Sequence, residues 1–178
     1  MICCRQVQTA MFFIYLGKSF TSLGKTRHME LNQSGDILSR VVIRDYQRRD
    51  YDAICALWAE TGLGGAHRGD NRDVIEESLR IGGKLLVAEL DDGRLVGTSW
   101  MTYDGRRLHL HHLGVTPEFQ RRGLGRHLTV ASLAFARERD IQTKLEVHQS
   151  NHAAIALYKS LGFQYLGDYD VYIIRTFV

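Results

Sequence analysis

The sequence predicts an α/β fold: one mixed, twisted and mostly antiparallel sheet flanked by about four helices. Two observations carry this prediction. From residue 41 onward, apolar runs typical of strands and apolar stripes at helical spacing follow one another in the order β α α β β β α β α β β. In addition, short turns of Asp and Gly join three successive strand-like runs, and such turns favour antiparallel hairpins.

Two helices precede the hairpins. A short strand at 41–44 leads to a helix that Asp50 can cap, because apolar residues recur at helical spacing directly after it. A loop with four glycines, 61–70, separates this helix from a second one over about 71–81, which two glycines end.

The hairpin strands are followed by alternating helices and strands. The remaining elements are, in chain order, strands over 84–90, 95–103 and 106–115, a helix that begins near residue 124, a strand over 143–148, a helix over about 151–161 and a closing hairpin over 163–177. Gly114, near the end of the third strand of this series, suits either a bulge or a close approach of another part of the chain.

Length and charge restrict the classes of protein that the chain can represent. Its 178 residues, 44% hydrophobic and 24% charged, are enough for one globular domain, which we place at 41–178 behind an N-terminal extension, 1–40, with room for one short helix. Residues 1–28 hold four of the 23 basic residues and no acidic one, which leaves 19 basic and 20 acidic residues in the rest. Because a nucleic-acid-binding domain needs a basic face, we expect no nucleic-acid partner.

Hydropathy and cysteine content suggest the compartment. No apolar run approaches the ~20 residues that span a bilayer, so we expect no membrane partner. The three cysteines fit neither a disulfide framework nor zinc spacing, which favours free thiols and a cytoplasmic location. The apolar run Met11–Leu16 predicts packing, either onto the domain or in a homodimer contact. Residues 1–28 contain no motif, so we expect a chain that starts at Met29 to keep its activity.

The stretch from Gln120 to His127, QRRGLGRH, lies where a strand ends and a helix begins. A helix N-terminus presents unpaired N–H groups and partial positive charge, and glycines let an anion approach the backbone. Position 128 is Leu rather than the third glycine of a dinucleotide fingerprint, and a P-loop motif is absent. Taken alone, the turn is either an anion site or a tight strand-to-helix connection.

A second stretch, LEVHQSNHAAIALYKSLGF over 145–163, places a Glu on a strand, an Asn at a helix start and a Tyr on that helix. Together the two stretches resemble the GNAT superfamily of acetyl-CoA-dependent N-acetyltransferases. The first is similar to that family's Q/R-x-x-G-x-G/A pyrophosphate loop, and the second to its segment ending in L-Y-x-x-x-G-F. The form is most similar to bacterial enzymes that acetylate the N-terminal alanine of a ribosomal protein. The resemblance covers about residue 41 to the end and implies a GNAT-like sheet.

The resemblance implies acetyl-CoA as co-substrate. Backbone N–H groups of residues 121–126 would hold the pyrophosphate of coenzyme A, and Asn151 would bind the pantetheine arm, cap its helix, or do both. A splayed fourth strand would offer backbone groups to the thioester, and the arginines of the turn either contact phosphate or are solvated. The predicted coenzyme-binding residues are thus Leu113, Gly114, Val115, Gln120, Arg121, Arg122, Gly123, Leu124, Gly125, Arg126 and Asn151.

Two residues match the family's acid–base positions. Glu146 is expected to accept the proton of the acceptor amine through water, and Tyr158 to protonate the leaving thiolate. Other roles remain open: Glu146 could be an exposed carboxylate or a salt-bridge partner, and Tyr158 a core residue. His111 or His112 could bind the acceptor or be an alternative base. We expect no metal, because spacing fixes no third ligand beside His109 and His111.

The predicted function is direct transfer of the acetyl group of acetyl-CoA to an amine of a protein N-terminus, a lysine or a small molecule. The resemblance places the acceptor between the loop 61–70 and the closing hairpin, whose Asp168 and Asp170 could attract an amine. Two other classes remain open. One is a non-catalytic acyl-CoA-binding sensor, which the joint presence of the Glu, Asn and Tyr of the second stretch disfavours. The other is an interaction module whose glycine turn binds nothing.

Overall fold

The computed structural model describes residues 37–64, 68–167 and 171–174. Its strands are β1 (Val41–Asp45), β2 (Lys84–Leu90), β3 (Leu95–Tyr103), β4 (Leu108–Val115) and β5 (Thr143–Leu145), and its helices are α1 (Tyr51–Thr61), α2 (Arg72–Arg80), α3 (Leu124–Glu138) and α4 (His152–Ser160). The strands form one sheet in the order β1-β2-β3-β4-β5, antiparallel through β4, with β5 parallel to β4. The predicted mixed, mostly antiparallel sheet with four helices is confirmed.

Helices cover both faces of the sheet. α3 packs on one face, in a cluster of buried side chains from β2, β3 and β4. α1 and α2 pack on the other, where Trp58 of α1 and Trp100 of β3 stack with ring centroids 5.7 Å apart. Successive residues of β4 divide between these layers, so Leu110 faces α3 while His111 lies beside Trp100. The histidines of β4 therefore lie on the face opposite α3.

The residues directly before α1 and α2 differ in whether they cap the helix. Asn71 caps α2, since its side-chain oxygen accepts a hydrogen bond from the N–H of Val74 at 3.0 Å. Asp50 stands at the N-cap position of α1, but its carboxylate does not cap that helix. It accepts instead from the N–H of Gln47 at 2.8 Å and from the Arg44 guanidinium at 2.7 Å. The predicted cap is wrong because a charge-assisted pair with Arg44 uses the carboxylate.

The C-terminal part differs from the prediction in two places. β5 ends at Leu145, three residues before the end of the predicted strand 143–148. The described residues of the predicted hairpin, 163–167 and 171–174, form no strand, and Tyr172 is 88% exposed. These residues therefore have the apolar pattern of a hairpin, but they do not pair with a strand of the sheet.

Several predictions fall on residues outside the described ranges. These are the apolar run within 1–36 and the acidic pair Asp168 and Asp170. The division of the chain at residue 40 stays a prediction. A 3₁₀ turn, Ile37–Arg40, precedes β1, and Ile37 is 7% exposed within the α3-side cluster. Across the described ranges, no helix has the length and apolar character needed to cross a membrane.

The ion pair between Arg44 and Asp50 is partly withdrawn from solvent, with side chains 18% and 5% exposed. Arg44 also pairs with Glu89, and its guanidinium lowers the pKa of Asp50. Arg44→Ala should lower the free energy of unfolding by about 3 kcal/mol, because it leaves a buried carboxylate without its cation. The matched control Arg40→Ala removes an exposed pair with Asp91 and should cost less than about 1 kcal/mol. Urea unfolding measures both values, and equal losses would contradict the prediction.

Candidate active site

The candidate site is built where β4 and β5 part. The two strands pair only over Leu108–Leu110 against Thr143–Leu145. β4 then runs on to Val115, and β3 is its partner there among the described strands. The β4 edge that faced β5 therefore continues from His111 with backbone N–H and C=O groups that no described strand pairs. This parting opens a wedge with polar backbone groups along one wall.

A bulge in β4 lies at this wedge. The register of β3 and β4 shifts between Thr98 and Trp100. As a result His112 and Leu113 stand opposite a single residue of β3, which is the geometry of a β-bulge. His112 adopts a φ of 37°, in the left-handed region that a residue with a Cβ rarely enters. The predicted bulge is thus present, directly before Gly114.

The chain after α1 packs on this bulge. A Cβ on Gly114 would overlap Cδ1 of Leu63, and a Cβ on Gly64 would lie 2.8 Å from Nε2 of His112. Both positions need glycine because the two segments approach too closely for a side chain. Gly114 therefore serves the second of its two predicted uses, the close approach.

The glycine turn begins α3 as predicted. Gly123 precedes the helix with a φ of 85°, and Arg121 has a φ of 63°, so the chain reverses sharply between β4 and α3. The Gln120 side-chain amide donates to the carbonyl of Val115 at 2.9 Å, which ties the turn to the end of β4. The first N–H groups of a helix have no intrahelical acceptor. The turn therefore presents donors and the positive end of the α3 dipole beside the wedge.

α4 lies alongside this turn. Arg126 donates to Oγ of Ser160 at 3.1 Å. A Cβ on Gly125 would meet Leu157 of α4 at 3.9 Å, an ordinary contact. Packing therefore does not require glycine at 125, and the open side of this residue fits a pyrophosphate that approaches the helix N-terminus.

Tyr158 lies on α4, and Asn151 is the residue directly before that helix. The ring of Tyr158 packs against the α3-side cluster and edge-on to Phe163, with centroids 5.6 Å apart. Burial raises the pKa of the Tyr158 hydroxyl, so the phenol holds its proton at neutral pH. Asn151 caps α4, since its side-chain oxygen accepts from the N–H of Ala154 at 3.1 Å. The cap uses the amide oxygen, and the amide nitrogen supplies two donors suited to a ligand carbonyl.

Glu146 follows β5 on the histidine face of the sheet. Its Oε1 lies 3.7 Å from Nε2 of His109, and its side chain is 54% exposed. Burial is the largest cause that lowers the pKa of His109, and nearby Lys144 adds to it. His109 is therefore neutral at neutral pH, and the exposed side chain of Glu146 is open to solvent, as the predicted proton transfer through water requires.

His111 and His112 have different partners. Nε2 of His111 is 2.8 Å from Oγ1 of Thr102, and burial lowers the pKa of this imidazole to about 3. Nε2 of His112 is 3.1 Å from Oδ2 of Asp70, and its ring packs against both tryptophans. Burial lowers the pKa of His112, although Asp70 opposes the shift. Among the described residues, no group of three or more His, Cys, Asp or Glu side chains could hold a metal ion.

The structure brings the end of β4, the glycine turn and α4 into contact with one another. Arg121 and Arg122 are exposed, and the Arg122 guanidinium lies 5.8 Å from the ring centre of Phe119. Sequence reasoning missed two residues that support the bulge, Asp70 and Thr98. Asp70 lies 42 positions before its partner on β4, so no local pattern links the two.

Comparison with known proteins decides the family. A family model described as the acetyltransferase (GNAT) family matches residues 44–163. The chain belongs to this family. The resemblance inferred from the glycine turn and the second stretch is therefore confirmed.

Curated relatives within the GNAT family match parts of the chain. N-alpha-acetyltransferase RimI of Mycobacterium tuberculosis is 43% identical over 85 residues, which cover 46% of this chain and 52% of that protein. Mycothiol acetyltransferase of Clavibacter sepedonicus is 38% identical over 98 residues, which cover 54% of this chain and 32% of that protein. The chain thus spans about half or less of the length of these relatives.

Solved structures share the GNAT fold. The ribosomal-protein-alanine N-acetyltransferase from Escherichia coli superposes with a TM-score of 0.60 at 24% identity, over 70% of this chain and 77% of that chain. AAC(6')-Iy in complex with a CoA bisubstrate analogue superposes with a TM-score of 0.61 at 18% identity, over 76% of this chain and 99% of that chain. At these identities the likeness concerns the fold alone.

Because the histidines of β4 are buried, we predict that the folded protein loses stability in acid. Burial lowers the pKa of His111 from 6.5 to about 3, so below pH 6.5 the unfolded chain binds a proton that the folded chain excludes. The contribution of His111 is therefore full above about pH 6.5 and falls by about 1.4 kcal/mol per pH unit below it. Urea unfolding at a series of pH values measures this slope.

His111→Gln should flatten the slope between about pH 6 and pH 4.5. Carboxylates with lowered pKa, such as Asp50, lose their contribution only below their ordinary pKa of 3.8, outside this window. His152→Gln changes an exposed histidine at the start of α4 and serves as the matched control, with an unchanged slope. Equal slopes for the two variants would show that His111 does not carry the effect.

Proposed function

We propose that this chain transfers the acetyl group of acetyl-CoA directly to an amine, without an acyl-enzyme. The observation that carries the proposal is the junction of the glycine turn with the wedge, where Gln120 ties the turn to Val115 at the end of β4. The open backbone of this turn suits the pyrophosphate of coenzyme A. The pantetheine arm would then follow the unpaired edge of β4 into the wedge.

We assign the base and the acid to opposite layers of the structure. Glu146 lies with the histidine face of the sheet, whereas Tyr158 packs against the α3-side cluster. An amine that enters from the histidine face would meet the carboxylate, and the sulfur of the thioester would lie toward the phenol. This arrangement would put the proton acceptor beside the amine and the proton donor beside the sulfur.

The chemical step needs a neutral amine. An alkyl ammonium group has a pKa near 10.4 and must lose a proton at neutral pH, which Glu146 accepts through water. The amine nitrogen then forms a bond to the thioester carbonyl carbon, and the carbon–sulfur bond breaks. The nitrogen loses its second proton to solvent, and Tyr158 gives its own proton to the thiolate, so that free thiol and neutral amide leave the site. Solvent returns the phenol and the carboxylate to their starting states.

The carbonyl oxygen gains negative charge as the carbon–nitrogen bond forms. The backbone of Leu113–Val115, on the unpaired edge of β4 after the bulge, is the source we propose for a donor to this oxygen. A fixed N–H group is suited to the task because it needs no reorganisation during the reaction.

The acceptor class remains one of three: a protein N-terminus, a lysine or a small amine. The relatives include a protein named as an N-alpha-acetyltransferase and one named as a mycothiol acetyltransferase. A panel of these amines, with thiol release as the readout, tests the proposal. Binding of coenzyme A without thiol release would instead favour the acyl-CoA-binding sensor. We further propose that the protein is cytoplasmic and forms a homodimer.

Gly125→Val tests the cofactor site. Because a Cβ at this position meets only an ordinary contact with Leu157, the fold should hold while the side chain blocks the pyrophosphate. We expect the affinity for coenzyme A, measured by calorimetry, to fall by at least about tenfold. Ala53→Val, at an exposed position in the first turn of α1, controls for the cost of a β-branched residue in a helix. Unchanged affinity in Gly125→Val would refute the site.

Tyr158→Phe and Glu146→Gln test the acid and the base separately. Each should lower kcat by about 10²–10⁴-fold, because general acid–base catalysis contributes that much, while coenzyme A affinity stays near wild type. Raising the pH should restore part of the activity of Glu146→Gln, since more of the amine is then neutral, but not that of Tyr158→Phe. Pre-steady-state thiol release separates chemistry from product release. If Tyr158→Phe stays within a few-fold of wild type in both kcat and pre-steady-state thiol release, Tyr158 is a packing residue.

A further inference from the structure

His112 occupies a conformation that its surroundings must maintain. Its φ of 37° at the β4 bulge is unfavourable for a side chain with a Cβ, and such residues persist only where several contacts fix them. The same residue immediately precedes Leu113–Val115, whose backbone faces the wedge. The conformation of His112 therefore sets the direction of the chain that forms the wall of the proposed acetyl-transfer site.

The first set of contacts holds the backbone of His112. Its carbonyl accepts a hydrogen bond from Oγ1 of Thr98 at 3.0 Å. The Thr98 hydroxyl in turn accepts from Nε1–H of Trp58 at 2.9 Å, in a fully buried position. An indole donor, a hydroxyl and a backbone carbonyl thus form one chain, in which each group has a defined role.

The second set holds the imidazole ring. Nε2 of His112 is 3.1 Å from the carboxylate of Asp70, and the two side chains are only 10% and 11% exposed. Trp58 and Trp100 pack against the ring with centroids 4.5 Å and 5.2 Å away. Asp70 lies just before α2, so this pair joins the segment between α1 and α2 to the bulge.

The other ring nitrogen of His112 is enclosed by protein. Nδ1 is buried and has no hydrogen-bond partner in the described part of the chain. Because Nε2 faces Asp70, the contacts of the ring favour a structural role for His112 over that of an alternative base.

We propose that Asp70 and His112 form a positioning pair that fixes the β4 bulge and thereby aligns the backbone of Leu113–Val115 with the thioester carbonyl. The inference rests on the proposed acetyl transfer and gives the two residues a role that acts through the backbone they hold. Its signature is a loss of kcat without a loss of coenzyme A binding, because the pyrophosphate turn lies on a separate segment. A displaced hydrogen-bond donor weakens the transition state and leaves the bound coenzyme in place.

Two variants at one position separate hydrogen bonding from charge. Asp70→Asn keeps an oxygen that can accept from Nε2–H of His112, whereas Asp70→Ala removes it. In the full chain, Asp70→Ala should lower kcat by at least about tenfold, while Asp70→Asn should stay within about threefold of wild type. The affinity for coenzyme A should remain within about threefold of wild type in both. Asp73→Ala, an exposed carboxylate in the first turn of α2, is the matched control and should leave kcat unchanged.

A double variant tests whether the two residues act as a pair. His112→Phe keeps the ring between the tryptophans and removes the hydrogen bond, so Asp70→Ala/His112→Phe should lose no more activity than His112→Phe alone. The pair is refuted if Asp70→Ala keeps wild-type kcat, or if its coenzyme A affinity and kcat fall together. It is equally refuted if Asp70→Asn is as slow as Asp70→Ala. A wild type that neither binds coenzyme A nor releases thiol refutes the proposed function itself, an outcome distinct from these.

Discussion

The parallel pairing of β4 with β5 stops after three residues, and the candidate site depends on that early end. A longer ladder would satisfy the edge of β4 with strand hydrogen bonds and leave no backbone donors for a ligand. It would also close the gap between the two helical layers, which is the gap that an acyl group needs. Every other feature of the site adjoins this opening.

Two layers of different electrostatic character meet at the opening. On the α3 side, a turn with two glycines and three arginines leads into a helix N-terminus, which suits an anion. On the other side, the histidines of β4 are held neutral by burial, so they add no positive charge to repel an incoming cation. In the proposed reaction the first side would meet the phosphates of coenzyme A and the second would meet the amine.

The strands, helices and glycine turn were predictable because each is encoded in neighbouring residues. Apolar runs bounded by turn residues define β2 through β4, and the glycines at 123 and 125 mark the start of α3. The early end of β5 was not predictable, since TKLEVH is a good strand sequence throughout and only tertiary structure decides where pairing stops. The same reason explains Asp50, whose sequence context suits a cap but whose carboxylate binds Arg44.

The partners of the histidines show a second limit of sequence reasoning. Three histidines within four positions of β4 are conspicuous, yet their roles follow from Thr102, Glu146 and Asp70, which lie on other elements. Contacts between residues far apart in sequence produce no fixed sequence spacing by which the pair could be identified. The family resemblance supplied Glu146 and Tyr158, but it carried no information about Asp70.

The placement of the tryptophans gives the protein a built-in optical probe. The chain has only two, and both lie in one stack beside His112, on the α1–α2 face of the sheet. Tryptophan fluorescence therefore originates from a single neighbourhood instead of an average over the molecule. The stacked indoles exchange excitation with each other, and the adjacent imidazole quenches them to a degree set by its distance and protonation. Emission from this chain is consequently a local readout of the bulge region.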